Sequence, residues 1–538
     1  ERAIVAEICR QVDGLPLAIE LAAARSRSLT LAEMLDRLEH RLSHLISDGR
    51  EGPTRQLAMR DTIAWSYDLL DANEQMLFRR LAVFTGGFAA ESVDALSRDL
   101  GIDVSGCIAS LIDQSLVRRV SRPATPERLR LMETIREFAS ERLEASGELD
   151  NARRWHAGYF GAIAAKSEQQ LVGGEQVAWL DLLEREHDNL RAALSWSIAA
   201  DEVDSCLEIG GGIWRFWERR GHVSEGRRLL EQIVALADDR EPSHTFASVL
   251  FGLGRMRYVQ GDFVAARAAF ERLVDVGQQL NSDSWLAGAL TQRAHLATRE
   301  GDYHEARRLS EDGLALRRRS GDQWGTAISL LVLGQNAHYL GEDARASQLT
   351  EECIAIFSQL GDRNGMSDGY TKLGEFALRR GKIARARGHI EEALAIQQEL
   401  GNDIAVADSL ALLGYVAIGQ GNYSSARSLF TRSLTRLVDL DARWRIDPAL
   451  EGLAEVAVLT GEPERAVRIL AAAELMRGEL GLLLNPDARG RHERILATAR
   501  TTLGDVRFTA VWDAGRALSI DQVSAEALGV GQPRRSPV

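Results

Sequence analysis

The fold is decided by residues 401–430, which read GNDIAVADSLALLGYVAIGQGNYSSARSLF. A Gly-Asn pair opens the stretch at Gly401-Asn402, and a second pair follows at Gly421-Asn422. Glycine ends a helix because it accepts the left-handed conformation, and Asn starts the next helix by accepting hydrogen bonds from free N–H groups. The stretch therefore predicts two helices of about 16 to 18 residues, joined by a tight turn.

Turn glycines of this kind recur along the chain at a constant spacing of about 40 residues, which is in the range of helical-repeat proteins. Asp302 and Glu305, which follow one of the turn glycines, also have the spacing of a capping box. A second glycine series lies halfway between the first and precedes Asp or Asn: Gly321, Gly361 and Gly401. The first series comprises Gly221, Gly261, Gly301, Gly341, Gly381, Gly421 and Gly461. Breaks at every half-period predict antiparallel helical hairpins, stacked one after another.

Small and large residues repeat with the same period. Within each unit, a small residue in the first helix is followed by an alanine in the second and, one turn later, by a larger residue. Small residues let two helices approach closely, and the larger ones fill the remaining space. The glycine position holds Gly254, Gly334, Gly374 and Gly414, with Ala294 and Ala454 in two units. The later positions hold Ala266, Ala306, Ala346, Ala386, Ala426 and Ala466, then Phe270, Thr350, Ile390 and Phe430.

This arrangement resembles the tetratricopeptide repeat, whose small residues stand at the same relative positions. The resemblance implies an α-solenoid of helical hairpins and places the chain mainly in the all-α class. The usual unit has about 34 residues, so the longer unit of this chain needs longer helices. HEAT and armadillo repeats match the length but not the pattern of glycine and alanine, and they are the alternative.

The start of the chain carries a different motif. Residues 13–25 read DGLPLAIELAAAR, which by itself indicates a helix stop at Gly14 and a new helix with Pro16 in its first turn. The segment resembles the GLPL motif of the NB-ARC class of signal-transduction (STAND) ATPases. That resemblance implies a small helical domain in which Gly14, Leu15, Pro16 and Leu17 contact bound ADP or ATP, with the proline near the adenine.

Residues from about 55 to 140 then read as short helices followed by a β-hairpin. Gly86-Gly87 breaks the chain, and Ser115–Val120 and Leu129–Met132 are the predicted strands, with prolines between them. The segment resembles the winged-helix domain of the same ATPases, which usually acts as an internal brake. A net charge of −13 also disfavours binding to DNA, because a polyanion is repelled at long range.

Two further motifs of that family are incomplete or missing. Leu131, Met132 and Glu133 occupy the place of its Met-His-Asp motif, and the histidine that senses phosphate is absent. These residues are also expected as core and ion-pair residues at the start of a helix. No Gly-x-x-x-x-Gly-Lys-Ser/Thr loop occurs in the sequence, so nothing would hold the β- and γ-phosphates. We therefore expect no enzyme activity and no cofactor in this chain, although the full-length family binds ADP or ATP.

Other kinds of site receive little support. The 11 histidines form no metal-type pair, and the four cysteines are far apart, as suits a reducing cytoplasm. Residues 184–188, EREHD, are expected to form a solvated helix face. The charge-free stretch 409–426 contains glycines and is not a membrane span. Trp285, Trp324 and Trp444 lie near the starts of repeat helices, where core packing is favoured over lining a ligand groove.

Together these features predict five segments and a regulatory or scaffolding role. Within the resemblance, the solenoid senses a protein or a small-molecule inducer, and the winged helix couples that event to the protein's own nucleotide-binding domain. Self-association is left open. The segments are a helical domain (1–50), a winged helix (51–145), connecting helices (146–200), repeats (201–480) and a C-terminal cap and tail (481–538).

Two alternatives are left open. The chain could be a plain tetratricopeptide adaptor, or the regulatory part of a protein with an output enzyme such as a nucleotide cyclase. Because it begins with Glu1 inside a helical pattern, we expect a piece of a longer bacterial protein. Residues 502–528 resemble the terminal cap of LuxR-type and related transcriptional regulators, without the DNA-binding domain that follows it in many of them.

Overall fold

The computed structural model describes residues 2–11, 16–26, 29–35, 54–98, 100–120, 127–440, 442, 445–480 and 482–528. These residues are mostly helical and contain one two-stranded sheet, which confirms the predicted all-α class. The chain divides into two compact units. Unit 1 comprises Glu1–Ile163 and Glu184–Cys206, and unit 2 comprises Ala164–Leu183 and Leu207–Val538.

The elements up to residue 199 are short helices followed by a hairpin and two long helices. A 3-10 turn, Leu81–Val83, follows the fourth helix. The elements are α1 (Arg2–Gln11), α2 (Pro16–Arg25), α3 (Thr54–Asp68), α4 (Ala72–Arg80), α5 (Ala90–Ser97), α6 (Val104–Asp113), β1 (Arg118–Val120), β2 (Arg128–Arg130), α7 (Glu133–Ala145), α8 (Leu149–Gln170) and α9 (Gln176–Ala199).

Helix α4 shows how sequence fixes the start of the winged-helix region. Asp71 accepts a hydrogen bond from the Glu74 N–H at 2.8 Å, and the Glu74 carboxylate accepts one from the Asp71 N–H at 2.9 Å. This complete capping box satisfies two N–H groups that the helix leaves free. One turn later Phe78 is fully buried, with its ring 5.6 Å from that of Tyr67. The cap therefore fixes where the apolar face of α4 begins.

The wing forms a shorter hairpin than the sequence predicts. β1 and β2 pair antiparallel, with Arg119 opposite Leu129. The predicted first strand began at Ser115, but the N–H groups of Leu116 and Val117 donate to Leu111 O at 3.0 and 3.1 Å. These two residues close the end of α6 and are unavailable to the sheet. The wing itself is confirmed, and only its inner three residue pairs form strands.

Unit 2 consists of long helices in antiparallel pairs. The repeat helices from α12 to α21 have 16 to 18 residues, as the spacing of the turns predicts. They are preceded by α10 (Val203–Arg219) and α11 (Val223–Leu236). They are α12 (His244–Val259), α13 (Phe263–Gln279), α14 (Asp283–Arg299), α15 (Tyr303–Ser320), α16 (Gln323–Tyr339), α17 (Asp343–Leu360), α18 (Arg363–Arg379), α19 (Ile383–Leu400), α20 (Asp403–Gly419) and α21 (Tyr423–Asp439).

The turn glycines adopt the conformation that the period requires. All ten glycines of the two predicted series have positive φ, from 66° to 83°. The residue after the turn caps the next helix at several positions: Asp362 accepts from the Gly365 N–H at 2.9 Å, and Asn422 accepts from the Ser425 N–H at 3.1 Å. Any residue with a side chain would be strained in this conformation, so glycine recurs at the turn of each repeat.

One predicted capping box is only half formed. Asp302 accepts a hydrogen bond from the Glu305 N–H at 3.0 Å. The Glu305 carboxylate, however, binds the guanidinium of Arg308 at 2.7 and 2.8 Å instead of reaching back to the Asp302 N–H. A charged partner one turn along the helix competes for the carboxylate with the neutral backbone group. The predicted hydrogen bond from the Asp302 N–H to the Glu305 carboxylate is therefore wrong, whereas the predicted N-cap by Asp302 is confirmed.

The interior of each hairpin follows the predicted pairing of small and large residues. A Cβ atom added at Gly414 would lie 2.6 Å from the ring of Phe430, and one added at Gly334 would lie 2.6 Å from Thr350 Oγ1. Gly254 faces Phe270 and Gly374 faces Ile390 in the same way. The alanines of the pattern are fully buried: Ala266, Ala306, Ala346, Ala386, Ala426 and Ala466. In these four hairpins a side chain of the second helix therefore packs directly on the glycine of the first.

The C-terminal helices cover the last repeat. They are α22 (Asp447–Leu459), α23 (Pro463–Glu479), α24 (Pro486–Leu503), α25 (Asp505–Arg516) and α26 (Ile520–Leu528). Phe508 is buried, and its ring lies 5.8 Å from that of Trp512 in a stacked arrangement. Gly515 packs against the backbone of Arg468 in α23. These residues of the segment 502–528 thus pack as a cap on the last repeat helices.

Candidate functional site

The repeat period brings one side chain from each hairpin onto a common face of unit 2. We call the face formed by these side chains on α10, α12, α14, α16, α18, α20 and α22 the inner face. All are partly buried except Tyr415, which is buried. Their character changes along the series, from arginine at the start to glutamate at the end. The series is Arg215, Arg255, His295, Gln335, Glu375, Tyr415 and Glu455.

Contacts between successive hairpins show how these side chains are arranged. The Arg255 guanidinium binds Glu218 of the preceding inner helix and donates to Gln292 Oε1 of the following one at 3.0 Å. Its side chain keeps 22% of its surface exposed. The arginine is therefore held in place by its neighbours on both sides and still reaches solvent.

Side chains from different hairpins influence one another's ionisation along the inner face. Burial, followed by the positive charges of Arg255 and Lys372, lowers the pKa of His295 to about 3. Burial, followed by the charge of Asp362, raises the pKa of Asp368 to about 7, and this carboxyl also lies within range of Arg219 and Glu218 in the first hairpin. Charged groups are thus crowded in this part of unit 2, and burial adds to their mutual influence.

The C-terminal half of the inner face is occupied by α24. His338 Nε2 lies 2.9 Å from Asp487 Oδ2, and Arg379 Nε lies 3.5 Å from Asp487 Oδ1. One turn later the Arg491 guanidinium lies over the ring of Tyr415, 4.4 Å from its centre. Although burial alone would raise the pKa of Asp487, the hydrogen bond with His338 lowers it. A helix of the chain itself therefore covers part of this surface.

The predicted nucleotide-contact residues lie at the edge of what the structure describes. Gly14 and Leu15 lie outside the described residues. Pro16 is the first residue of α2, as the motif predicts, and Leu17 follows it. The side chains of Pro16 and Leu17 are not described. Contact of Gly14, Leu15, Pro16 and Leu17 with a nucleotide remains a prediction from the resemblance.

The residues in place of the Met-His-Asp motif have structural roles. Leu131 is buried, and Met132 precedes the first turn of α7. Glu133 accepts hydrogen bonds from Arg136 at 2.6 and 3.1 Å, and this bonding lowers the pKa of the glutamate. The expectation of core and ion-pair residues at the start of a helix is confirmed.

In the described part of the winged helix, the helix before the wing carries no basic side chain and two arginines of the wing are paired within the chain. Helix α6, which precedes the wing, contains no Lys or Arg. Asp103 is its N-cap, and Asp113 is its last residue. Arg118 of the wing pairs with Glu20, and Arg119 pairs with Glu127 at 3.4 Å. Proteins that recognise specific DNA sequences carry basic side chains on such a helix, and these side chains contact bases and phosphates.

A third arginine of the wing lies in a buried network. Arg128 donates to Gly87 O at 2.9 Å and pairs with Glu186, whose side chain is 8% exposed. Asn189 Nδ2 donates to the Glu186 carboxylate at 2.7 Å. The segment 184–188 was expected to be a solvated face, and this is wrong for two of its residues. Glu186 and His187 are both buried, because this part of α9 packs on the wing.

The tryptophans near the helix starts have different environments. Trp285 Nε1 donates to His244 Nδ1 at 3.1 Å, and Trp324 Nε1 donates to Asp362 Oδ2 at 2.6 Å. The guanidinium of Arg215 lies 4.3 Å from the ring centre of Trp214 and 5.2 Å from that of Trp324. Trp324 packs against a core cluster of unit 2, as expected, and its indole N–H also bonds to the next hairpin. Trp444 lies outside the described residues.

Two other features of the described residues bear on function. None of their helices is long and apolar enough to cross a membrane. The four cysteines are free, and Cys107, Cys206 and Cys353 are buried. Burial raises the pKa of Cys206 to about 12, so this thiol stays protonated and unreactive.

Two protein families match parts of the chain. The tetratricopeptide repeat family matches residues 285–359 and 366–437, and a winged helix-turn-helix domain matches residues 70–144. Both matches lie within the segments that the sequence predicts for these domains. Tetratricopeptide repeats and a winged helix are therefore confirmed.

Curated relatives come from mycobacteria. A Mycobacterium tuberculosis protein with the provisional name HTH-type transcriptional regulator is 38% identical over 235 residues, or 43% of this chain and 26% of its own length. A second, uncharacterized protein of the same species is 39% identical over 150 residues, or 27% of this chain and 38% of its own length. The chain thus spans well under half the length of either relative.

Solved structures share parts of the architecture. A STAND protein with a tetratricopeptide repeat sensor from Pyrococcus horikoshii is 15% identical, with coverage of 89% of this chain and 75% of its own and a TM-score of 0.44. A Rap protein complexed with Competence and Sporulation Factor is 13% identical, with coverage of 60% and 99% and a TM-score of 0.38. Similarities of this extent say nothing about function.

Proposed function

We propose that this chain is the sensing and coupling part of a bacterial STAND-type regulator of transcription or signalling. The observation that carries the proposal is the inner face, where the repeat period aligns a graded series of polar and charged side chains that remain partly exposed. Core positions do not need such residues. The winged helix precedes the repeats on the same chain, and the relative that carries a regulator's name adds support.

The two domains have different tasks in this proposal. The inner face of the solenoid receives a ligand or a protein partner. The winged helix, whose Arg118, Arg119 and Arg128 are engaged by carboxylates of the chain itself, relays the event to a nucleotide-binding domain. Its role is that of an internal brake and not of a DNA reader.

Nucleotide chemistry belongs to the nucleotide-binding domain and not to this chain. Residues 14–17 would contribute contacts to the adenine, but phosphate binding requires the missing glycine-rich loop and its lysine. We expect the purified chain to hydrolyse no ATP and to bind ADP weakly at most. Calorimetric titration with ADP checks this, and sub-micromolar affinity would contradict it.

A genetic experiment tests the regulatory role. The gene would be replaced in the source organism by a variant carrying Arg255→Gln and Glu375→Gln, which neutralises two inner-face positions. The matched control is Arg387→Gln with Glu391→Gln, an exposed ion pair on α19. We expect the inner-face variant to change a limited set of transcripts under the condition that activates the regulator. Indistinguishable transcript profiles of both variants and the wild type would contradict the proposal and favour a plain adaptor.

A further inference from the structure

The turn between α8 and α9, residues 171–175, adjoins a contact with a repeat hairpin that is distant in the sequence. Gln176, the first residue of α9, donates from Nε2 to Asp362 Oδ1 at 2.6 Å, and its Oε1 accepts the Asn364 N–H at 3.2 Å. Gln176 and Asp362 are both buried. Because the polar groups of a buried amide need partners, these bonds hold the Gln176 side chain between α9 and the start of α18.

Asp362 connects this contact to the neighbouring repeat helices. Its Oδ1 also accepts the Gly365 N–H at 2.9 Å and so caps α18, while its Oδ2 accepts the Trp324 indole N–H of α16 at 2.6 Å. The backbones approach closely as well, because a Cβ atom added at Gly361 would lie 3.0 Å from Gly174 Cα. The turn between α8 and α9 therefore packs directly on the turn between α17 and α18, and a shift of either turn changes the contact.

The turn between α8 and α9 is also held by the first helix of the repeat region. The Arg219 guanidinium, at the end of α10, donates to Leu171 O, and Ser167 Oγ of α8 donates to Gly212 O of α10 at 3.0 Å. Gly212 permits this approach, since a Cβ atom there would collide with Ala164 O. The turn is thus bonded to α10 and to α18. A change in the path of the repeats between those two helices would therefore strain it.

Further along, α9 belongs to the network that holds the wing. About three turns after the start of the helix, Glu186 binds Arg128 of the wing. Asn189 donates to Gly87 O at 2.9 Å and accepts the Thr85 N–H at 2.7 Å. One helix therefore carries both the contact with the repeats and the contacts with the wing.

Helix α9 is continuous between these two sets of contacts. It runs as one helix from Gln176 to Ala199. Its buried leucines recur at intervals that place them on one face of the helix: Leu180, Leu183, Leu190 and Leu194. A continuous helix that is packed along its length moves as a rigid element, so a displacement of its first turn reaches the turns that follow.

We propose that the contact between Gln176 and Asp362 is the point at which the repeats act on the winged helix. A rearrangement of the turn between α17 and α18 displaces α9 at Gln176, and α9 in turn displaces Glu186 and Asn189 relative to the wing. The proposal rests on the coupling role proposed above and names the contact that carries it. Gln176 is a positioning residue in this scheme, because it acts through the helix that it begins.

Hydrogen exchange of the full chain tests this coupling. Gln176→Met keeps the length of the side chain and removes its hydrogen bonds. We expect amide exchange at Asn364 and Gly365 to become about fivefold faster, as the loss of one hydrogen bond implies. Exchange should also become at least about twofold faster at Thr85 and Phe88, whose N–H groups bond to Asn189 of α9 and to the wing.

Gln397→Met is the matched control, because Gln397 is also a buried glutamine with two side-chain hydrogen bonds. Its Oε1 accepts from Ser409 Oγ at 2.7 Å, and its Nε2 donates to Thr371 Oγ1 at 3.3 Å. These bonds join α19 to α18 and α20. We expect this variant to speed exchange between residues 371 and 409 and to leave exchange at Thr85 and Phe88 as in the wild type.

A second variant disturbs the same contact from the side of the repeats. Asp362→Asn still caps α18, because asparagine is an equally good N-cap, but it offers fewer acceptors to Gln176 and Trp324. Asp302→Asn, at the N-cap of α15, is the matched control. We expect Asp362→Asn to speed exchange at Thr85 and Phe88, as Gln176→Met does, and we expect Asp302→Asn to leave it unchanged.

Two results would overturn the proposal. Faster exchange at Asn364 and Gly365 with unchanged exchange at Thr85 and Phe88 would mean that α9 transmits nothing to the wing. Equal acceleration at Thr85 by Gln176→Met and Gln397→Met would mean that both merely lower the stability of the chain. Circular dichroism checks that each variant is folded, and Asp362→Asn decides by the same criteria if Gln176→Met is not.

Failure of this route can be told apart from failure of the proposed function. If exchange at the wing does not respond, but the inner-face variant Arg255→Gln with Glu375→Gln still changes transcripts, the regulatory role stands and only the contact that carries the coupling is wrong.

Discussion

The inner face and the winged helix both carry arginines, but they use them differently. On the winged helix, Arg128 is held in a buried network, and Arg118 and Arg119 pair with carboxylates beside them. On the inner face, Arg255 is held on both sides and still exposes part of its guanidinium in a series that ends in glutamates. The comparison teaches that arginines are paired within the chain in both regions and that the regions differ in arrangement. The pairs of the wing are separate from one another, whereas Arg255, paired with Glu218, belongs to a series of positions that runs along the repeats.

The largest expected effect comes from the buried network of the wing. Arg128→Met would leave Glu186 buried without its cation, and breaking such a pair costs about 3 kcal/mol of unfolding free energy. Arg119→Met is the matched control, because its pair with Glu127 is more than half exposed and is worth less than about 1 kcal/mol. Urea denaturation followed by circular dichroism measures both. Equal losses of unfolding free energy in the two variants would mean that the buried pair of Arg128 with Glu186 stabilises the fold no more than the exposed pair does.

A second prediction concerns the scaffold that holds the inner face. Ala426→Leu adds three carbon atoms where two helices meet, and overpacking of this kind costs ~1–3 kcal/mol. The control is Thr435→Leu, an exposed position on the same helix. The neighbouring Arg427 is unsuitable as a control, because it binds Glu462 at 2.5 Å and joins two hairpins.

The location of the loss matters as much as its size. In a repeat protein each unit contacts its neighbours, so hydrogen exchange should loosen around residues 380–460 for Ala426→Leu. Loosening that reaches residues 70–144, or equal effects of the two substitutions, would mean that the phase of the repeat is wrong.

A third prediction concerns the acid-rich part of the inner face. Burial, followed by Asp362, raises the pKa of Asp368 to about 7, while Lys372 opposes the shift. Because the folded pKa lies above the unfolded value, the ionised carboxylate destabilises the fold, and stability falls as the pH rises from ~4 to ~7. Asp368→Asn should therefore stabilise the chain by about 1–2 kcal/mol at pH 8 and by almost nothing at pH 4. Thermal melts at both values check this, and a gain that does not depend on pH would contradict it.

The smallest expected effect is on DNA binding. With no basic residue on α6, and with Arg118, Arg119 and Arg128 paired, the chain should form no sequence-selective complex with duplexes from the promoters near its gene. A gel shift measures this. Glu20→Gln with Glu127→Gln frees Arg118 and Arg119 and should produce only weak, salt-sensitive binding. A sequence-selective complex formed by the wild type would mean that the winged helix, too, is a recognition surface.

The hairpin interior could be predicted because its cause is local and periodic. Gly414 faces Phe430, and Gly254 faces Phe270, as the positions in the repeat require. The wing was predicted with strands that are too long, since periodicity cannot show that Leu116 and Val117 bond back to the end of a helix. Glu305 was misjudged for a similar reason, because Arg308 competes for its carboxylate.

A search for motifs misses the inner-face series, although its signal is in the sequence. Reading the same position in each successive repeat, from Arg215 to Glu455, gives its members. The position holds different residue types, so it does not stand out as a motif. What the sequence could not show is that α24 occupies part of this face, since that contact joins Asp487 to His338 across 149 residues. Only the path of the solenoid brings them together.

Transcript profiling in the source organism tests most directly that the inner face is the recognition surface. The account predicts that Arg255→Gln with Glu375→Gln changes a limited set of transcripts under the activating condition, whereas the exposed pair variant Arg387→Gln with Glu391→Gln matches the wild type. A profile of the inner-face variant that equals the wild type, or the same change in both variants, would contradict it.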